Sequence, residues 1–151
     1  MAHRAKHRGC SEAITDWFAR PVLFVTDVDR SVDFYVNQLG FTRAWRHEED
    51  GKALVAQVDR QGCALILSSQ WPDKVGKGLM FISLNVDVAP DKLRAEAEAA
   101  LDKLRIEFEG KGVNVADGYW GYRLVVVHDL DGNELYFPYP SNEEAPAADK
   151  G

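Results

Sequence analysis

The sequence predicts an α+β fold built from two successive βαβββ modules, and three observations carry that reading. A short β-rich run followed by a helix opens the chain near residue 20, and a similar pair returns near residue 79. Each helix is followed by three strand-like runs, and turn residues separate those runs at matching places. The order βαβββ, linker, βαβββ is therefore an internal repeat, and each half leaves a sheet face that another module must cover.

The elements follow in order. Residues 1–13, with Arg4, Lys6, His7 and Arg8, read as a flexible basic arm. Pro21 to Thr26 (Pro-Val-Leu-Phe-Val-Thr) is rich in β formers. Asp27 then offers an N-cap oxygen, and Asp29 places a negative charge in the first turn, where the helix dipole favours it. Val28, Val32, Tyr35, Val36 and Leu39 fall at i, i+4, i+7, i+8 and i+11, one face of a helix, and Gly40 follows at the C′ position. Strands are expected at Phe41–His47, Lys52–Arg60 and Cys63–Ser69, separated by Glu49-Asp50-Gly51 and Gln61-Gly62. The first module thus covers about residues 20–69, and residues 70–78, with a proline and two glycines, read as a linker.

In the second module, about residues 79–139, Leu79–Val86 reads as a strand and Ala89-Pro90-Asp91 as a helix opening. Leu93, Ala97, Ala100, Leu101, Leu104 and Phe108 line one side of that helix, and Gly110 or Gly112 ends it. Val113–Ala116, Tyr122–His128 and Glu134–Pro138 are three further strands, the last two joined by the turn Asp129-Leu-Asp-Gly-Asn133. Residues 14–140 make one domain of this kind, and residues 141–151 read as a disordered tail.

Composition narrows the function classes. The chain has 151 residues with 46% apolar and 28% charged residues, an ordinary globular balance, and it contains no apolar run long enough for a membrane span. The basic start lacks the apolar stretch of a secretory signal. Two cysteines, Cys10 and Cys63, are too few for a disulfide scaffold, so a reducing cytoplasm is the expected compartment. A net charge of −6 argues against a nucleic-acid partner and favours encounter with a cationic ligand. No serine or cysteine sits in an elbow motif, so nucleophilic catalysis has no support.

Two motifs carry a family resemblance. Pro21-Val-Leu-Phe-Val-Thr-Asp-Val-Asp-Arg-Ser-Val-Asp-Phe-Tyr35 with Gln38-Leu-Gly-Phe41, and Trp120-Gly-Tyr-Arg-Leu-Val-Val-Val-His-Asp-Leu-Asp-Gly-Asn133, resemble the two signatures of the vicinal-oxygen-chelate superfamily, which includes glyoxalases, dioxygenases and bleomycin-resistance proteins. They stand about 85 residues apart, in matching places of the two modules, and the resemblance covers roughly residues 20–139. It implies two cupped mixed sheets enclosing a cavity. In the metalloenzymes of that superfamily, His and Glu from four strands hold one divalent ion there.

The motifs locate those four positions on Arg20, Ile66, Phe81 and Tyr136. Arg, Ile, Phe and Tyr do not replace a set of imidazoles and carboxylates. No metal and no other cofactor is expected, and the enzyme chemistry of the superfamily is disfavoured. The Pro-Val-Leu opening without His resembles the bleomycin-resistance branch, which implies a homodimer with aromatic crevices at the subunit interface. The expected function is non-catalytic sequestration of a planar, cationic antibiotic or related small molecule.

The residues expected to bind it are Trp45, Trp120, Phe81, Tyr136, Ile66, Arg20, Trp71 and Phe24. Each also has a plainer reading. Trp120 can anchor a strand end, Phe81 and Tyr136 can be core, and Arg20 can face either an acidic ligand group or a carboxylate of a neighbouring subunit. Trp17 and Phe18 read as cover for an apolar patch or for the interface. The competing function is a metal-dependent lyase, isomerase or dioxygenase that uses non-standard ligands such as His47 or His128.

Overall fold

The computed structural model describes residues 13–140. Apart from Ala13, the expected arm over 1–13 and the tail over 141–151 lie outside the described residues. The element order is β1 (Val22–Phe24), α1 (Val28–Asn37), β2 (Thr42–Glu49), β3 (Lys52–Arg60), β4 (Cys63–Ser68), β5 (Leu79–Phe81), α2 (Leu93–Gly110), β6 (Asn114–Tyr119), β7 (Arg123–His128) and β8 (Glu134–Pro138). These strands form two four-stranded mixed sheets, ordered β1-β4-β3-β2 and β5-β8-β7-β6. In each, the first strand runs parallel to the last and the other pairs are antiparallel. The expected α+β fold of two βαβββ modules is the observed one.

Strand alternation divides each sheet into two faces. Leu23, Val25, Ala56, Val58, Leu65 and Leu67 of the first module are buried on the face that meets α1. They share one core with Met80, Val125, Val127, Leu135 and Phe137 of the second. The opposite faces carry Val22, Phe24, Gln57 and Ile66 in the first module, and Phe81, Leu124, Val126 and Tyr136 in the second. The α1 helix starts where expected: the Asp27 carboxylate accepts the Arg30 backbone N–H at 3.1 Å. Its C-terminus is tied to α2 by Arg60, whose Nη1 donates to the Leu39 carbonyl at 2.7 Å and to Glu107 Oε2 at 2.9 Å.

β2 runs on to Glu49 and β6 to Tyr119, past the expected His47 and Ala116, and two elements differ more. The fifth strand ends at Phe81 rather than Val86. The last ladder bond is the Ile82 N–H to the Tyr136 carbonyl at 2.8 Å. The next donor along β8 on that side is Pro138, which has no N–H, so the ladder stops there. Residues 82–88 then leave the sheet, and the first two turns of α2 overhang a gap instead of packing on strands. Leu93 is therefore exposed, although it was expected on the apolar side, while Leu101 and Phe108 are buried. The gap is a cleft of about 600 Å³ lined by Ser83–Val86, Leu93, Arg94, Ala97, Leu101, Tyr122 and Pro138–Pro140, with Phe81 at one wall. Among the expected ligand residues only Phe81 reaches it.

The Asp-x-Asp-Gly-Asn turn does more than join two strands. Asp129 Oδ1 accepts the backbone N–H groups of Asp131 and Asn133, both at 2.9 Å. Its Oδ2 accepts the buried Tyr35 hydroxyl at 2.9 Å and Asn133 Nδ2 at 3.0 Å. Asp131 accepts the Thr26 hydroxyl at 2.6 Å, and Asn133 donates to the Phe24 carbonyl at 3.0 Å while accepting the Gly78 N–H at 2.8 Å. A motif read from sequence as a turn thus clasps β1 and α1 of one module to the last hairpin of the other.

Burial, then the nearby Asp129 carboxylate, raises the Tyr35 phenol well above its ordinary value of 10.0. The phenol is neutral in the fold, so its contribution to stability is complete below the unfolded value and is lost as pH rises through the folded one. The melting temperature is expected to fall more steeply above about pH 10 in the native chain than in Tyr35→Phe. Parallel profiles for the two proteins would contradict this.

Candidate functional site

The first cup is organised around one rung of its sheet. Val22, Ile66, Gln57 and Trp45 are successive register partners across β1, β4, β3 and β2. Trp45 reaches this face only because the ladder slips between Arg43, opposite Val58, and Trp45, opposite Gln57. The extra residue is Ala44. Without that bulge, alternation would turn Trp45 toward α1. The helix side of β2 is instead occupied by Arg43 and Arg46, which pair with Asp33 and Asp29 of α1.

Gln57 is the polar centre of the rung. Its Oε1 accepts the indole Nε1–H of Trp45 at 2.9 Å and Nη1–H of Arg20 at 2.8 Å. Its Nε2 donates to Asp59 at 2.8 Å. Arg20 also lies over the Phe18 ring, 5.5 Å from its centroid. One rung further on, Phe24 meets Trp71 edge to face at 6.2 Å, and Lys74 Nζ stands 4.4 Å above the Trp71 ring. Trp71 and Lys74 come from a single turn over Pro72–Lys74, inside the segment expected to be a plain linker.

The second cup is aromatic. Phe81 and Tyr136 are register partners on β5 and β8, and Trp120 makes edge-to-face contact with both, at 5.8 and 5.7 Å between ring centroids. Each such contact is worth about 0.5–1.5 kcal/mol. Trp120 leads the β6–β7 turn, where its N–H bonds the Tyr122 carbonyl at 3.0 Å. Gly121 takes φ +79°, which favours glycine, and this explains the Trp-Gly pair. At Gly118 a side chain would meet Val126 Cγ2 at 2.7 Å, so the strand beneath the aromatic group needs the smallest residue. Despite these mutual contacts Trp120 keeps 57% of its surface exposed and Phe81 41%.

A family model described as Glyoxalase/Bleomycin resistance protein/Dioxygenase superfamily matches residues 16–137. The chain belongs to that superfamily. No curated protein matches it. Among solved structures, it is similar to the antibiotic binding protein TnmS3 from Streptomyces sp. CB03234, at 19% identity and TM-score 0.62, over 85% of this chain and 100% of that one. It is similar to a bleomycin-binding protein from bleomycin-producing Streptomyces verticillus, complexed with copper(II)-bleomycin, at 25% identity and TM-score 0.55, over 85% and 100%. It also shares the fold of a lactoylglutathione lyase from Agrobacterium tumefaciens, at 17% identity and TM-score 0.56, over 87% and 95%.

Within this superfamily the question is whether these cups suit a divalent ion. Phe81 and Tyr136 stand opposite each other. The residue opposite Ile66 is Val22, two positions after Arg20. Neither Val22 nor Ile66 offers a donor atom, and Arg20 brings a cation. Among the described residues no three His, Cys, Asp or Glu side chains converge. The donor set does not fit a metal at the superfamily's usual positions.

Among the described residues, His47 and His128 each meet one carboxylate. His47 Nε2 is 3.4 Å from Glu49, and His128 Nε2 is 3.2 Å from Glu134. His128 Nδ1 is buried and finds no partner among the described residues. Glu134 also accepts the Tyr136 hydroxyl at 3.5 Å, so a carboxylate borders the aromatic group of the second cup.

Sequence reasoning missed Gln57, Asp59 and Lys74. Gln57 left one signal: an uncharged polar residue inside the otherwise apolar run Ala53–Val58. Lys74 left none, because its position over Trp71 depends on a turn that Pro72 alone does not fix.

Proposed function

We propose that the chain is a non-catalytic binding protein that sequesters a planar small molecule of the antibiotic class between aromatic walls. The observation that carries this reading is the Phe81–Trp120–Tyr136 group: aromatic rings stand at two superfamily metal positions and a third ring leans over both, partly open to solvent. A flat ligand ring that completes such a group gains roughly 0.5–2 kcal/mol for each ring or cation it meets. Several such contacts suffice to hold a drug away from its target without chemistry. The similarity to an antibiotic binding protein and to a bleomycin-binding protein supports the class of ligand.

The second wall of the crevice comes from another copy of the chain. Trp45 and Trp71 of the first cup and Phe81 and Trp120 of the second are all exposed in a single chain. So are Ile14, Trp17 and Phe18, with Trp17 at 97%. A homodimer that sets one copy's first cup against the other's second cup covers these rings and encloses the ligand, with Phe24 and Ile66 on the same wall as Trp45 and Arg20 at its rim. Glu134 then faces the cationic part of a ligand, in keeping with the net charge of −6.

No described helix is long and apolar enough to cross a membrane. A reducing cytoplasm suits the free Cys63 thiol, which burial pushes up in pKa and makes a poor nucleophile.

The test is titration of tryptophan fluorescence with metal-free bleomycin and a panel of planar compounds, alongside the mass of the protein in solution. The reading expects a dimer and saturable quenching at one site per subunit. A monomer with a flat response to every compound would remove it.

A further inference from the structure

The two cups differ in the charge they present. In the second, the carboxylate of Glu134 borders the aromatic group. In the first, cations already occupy the aromatic faces: Lys74 Nζ lies 4.4 Å from the Trp71 centroid and 5.7 Å from that of Phe24, and Arg20 lies over Phe18. A cationic ligand group is repelled from those faces and suited to the second cup.

We infer that Arg20, Gln57 and Trp45 form a subsite for an anionic oxygen group carried on an aromatic ring, so that the ligand class is an aromatic acid, with or without a cation at its far end. The inference rests on the sequestering function proposed above and adds the chemistry of one end of the ligand. Gln57 is the organising residue. Its single carbonyl oxygen holds the indole edge and the guanidinium at 2.9 and 2.8 Å, which fixes the ring and the cation side by side. Its amide N–H is in turn fixed by Asp59 at 2.8 Å. That donation polarises the amide and strengthens Oε1 as an acceptor.

Arg20 spends one N–H on this bond and has four more in its planar fork, a geometry matched to carboxylate. Asp59 is the opposing charge in the cup. It faces the amide nitrogen of Gln57, whereas Arg20 sits on the oxygen, so the amide lies between the two charges. Trp45 supplies the stacking wall for the ring that carries the acid. Gln57 is a positioning residue, and Arg20 and Trp45 are the binding ones.

The test uses the full chain and matched probes: anthraquinone carboxylate and naphthalene carboxylate, each beside its neutral carboxamide, titrated by tryptophan fluorescence. A charge-assisted bond to Arg20 is expected to make each carboxylate bind about tenfold tighter than its carboxamide. In Arg20→Ala the ratio is expected to fall to about one, with the carboxylate losing far more affinity than its carboxamide. In Gln57→Leu the ratio falls as well, because the guanidinium loses its anchor, and the Trp45 emission shifts. If native protein binds both forms equally, the subsite is overturned and Arg20 merely balances Asp59 through the amide, while sequestration stands. A tenfold ratio that survives Arg20→Ala also overturns it. If no probe binds at all, the subsite is overturned, and the sequestering function stands or falls separately on the titration with the wider planar panel.

Discussion

Asp129→Ala is expected to lower the unfolding free energy by about 3–5 kcal/mol, the largest effect of any single substitution in the inter-module clasp. The carboxylate is buried and accepts four hydrogen bonds, from the Asp131 and Asn133 backbone, Asn133 Nδ2 and the Tyr35 hydroxyl. Removing it strands the Tyr35 hydroxyl in a fully buried position. It also frees Asn133, whose own bonds hold the Phe24 carbonyl and the Gly78 N–H. For a chain of this size the melting temperature should drop by about 6–20 °C in a thermal scan. Asp129→Asn keeps one acceptor oxygen for the two backbone N–H groups but turns an amide toward Tyr35, so an intermediate loss is expected. A drop of under about 1 kcal/mol in Asp129→Ala would mean the turn holds without its carboxylate.

Trp120→Ala is expected to weaken binding of a planar ligand by about 10–100-fold, or about 1.4–2.7 kcal/mol, read by equilibrium dialysis. The indole closes the aromatic group over Phe81 and Tyr136, and its deletion removes two ring contacts and the surface a ligand ring would face. Because Trp120 is more than half exposed at a turn, the accompanying loss of stability should be no more than about 1–2 kcal/mol. Trp120→Phe retains a ring and should stay within about fivefold of native affinity. Unchanged affinity in Trp120→Ala would place the ligand outside the second cup.

Much of this arrangement was legible in the sequence, for identifiable reasons. The periodic face of α1 and its Asp27 cap marked the first helix. The clean β-rich run at Lys52–Arg60 marked a strand whose limits agree with the structure. Two matched motifs marked the repeat and picked out Phe81 and Tyr136, which the structure makes register partners. What stayed hidden depends on partners distant in sequence. The early end of β5 is decided by the missing N–H of Pro138, more than fifty residues downstream. The aim of Trp45 depends on a bulge at Ala44 that alternation cannot show. The motifs put Arg20 and Ile66 at two of the four ligand positions, and only the parallel register of β1 on β4 shows that Val22, not Arg20, stands opposite Ile66. The clasp made by Asp129, Asp131 and Asn133 was concealed because the same residues suffice for a local turn.

Binding without chemistry is open to a direct test. Native protein is saturated with the tightest planar ligand of the panel, with and without added divalent manganese, iron or zinc, and the ligand is then released by denaturation and weighed by mass spectrometry. A binding protein without chemistry returns one unaltered ligand per subunit, with the same affinity whether or not metal is added. Conversion of the ligand that depends on added metal, at more than one equivalent per subunit, would contradict it and point to an enzyme with a donor set outside the superfamily's usual positions.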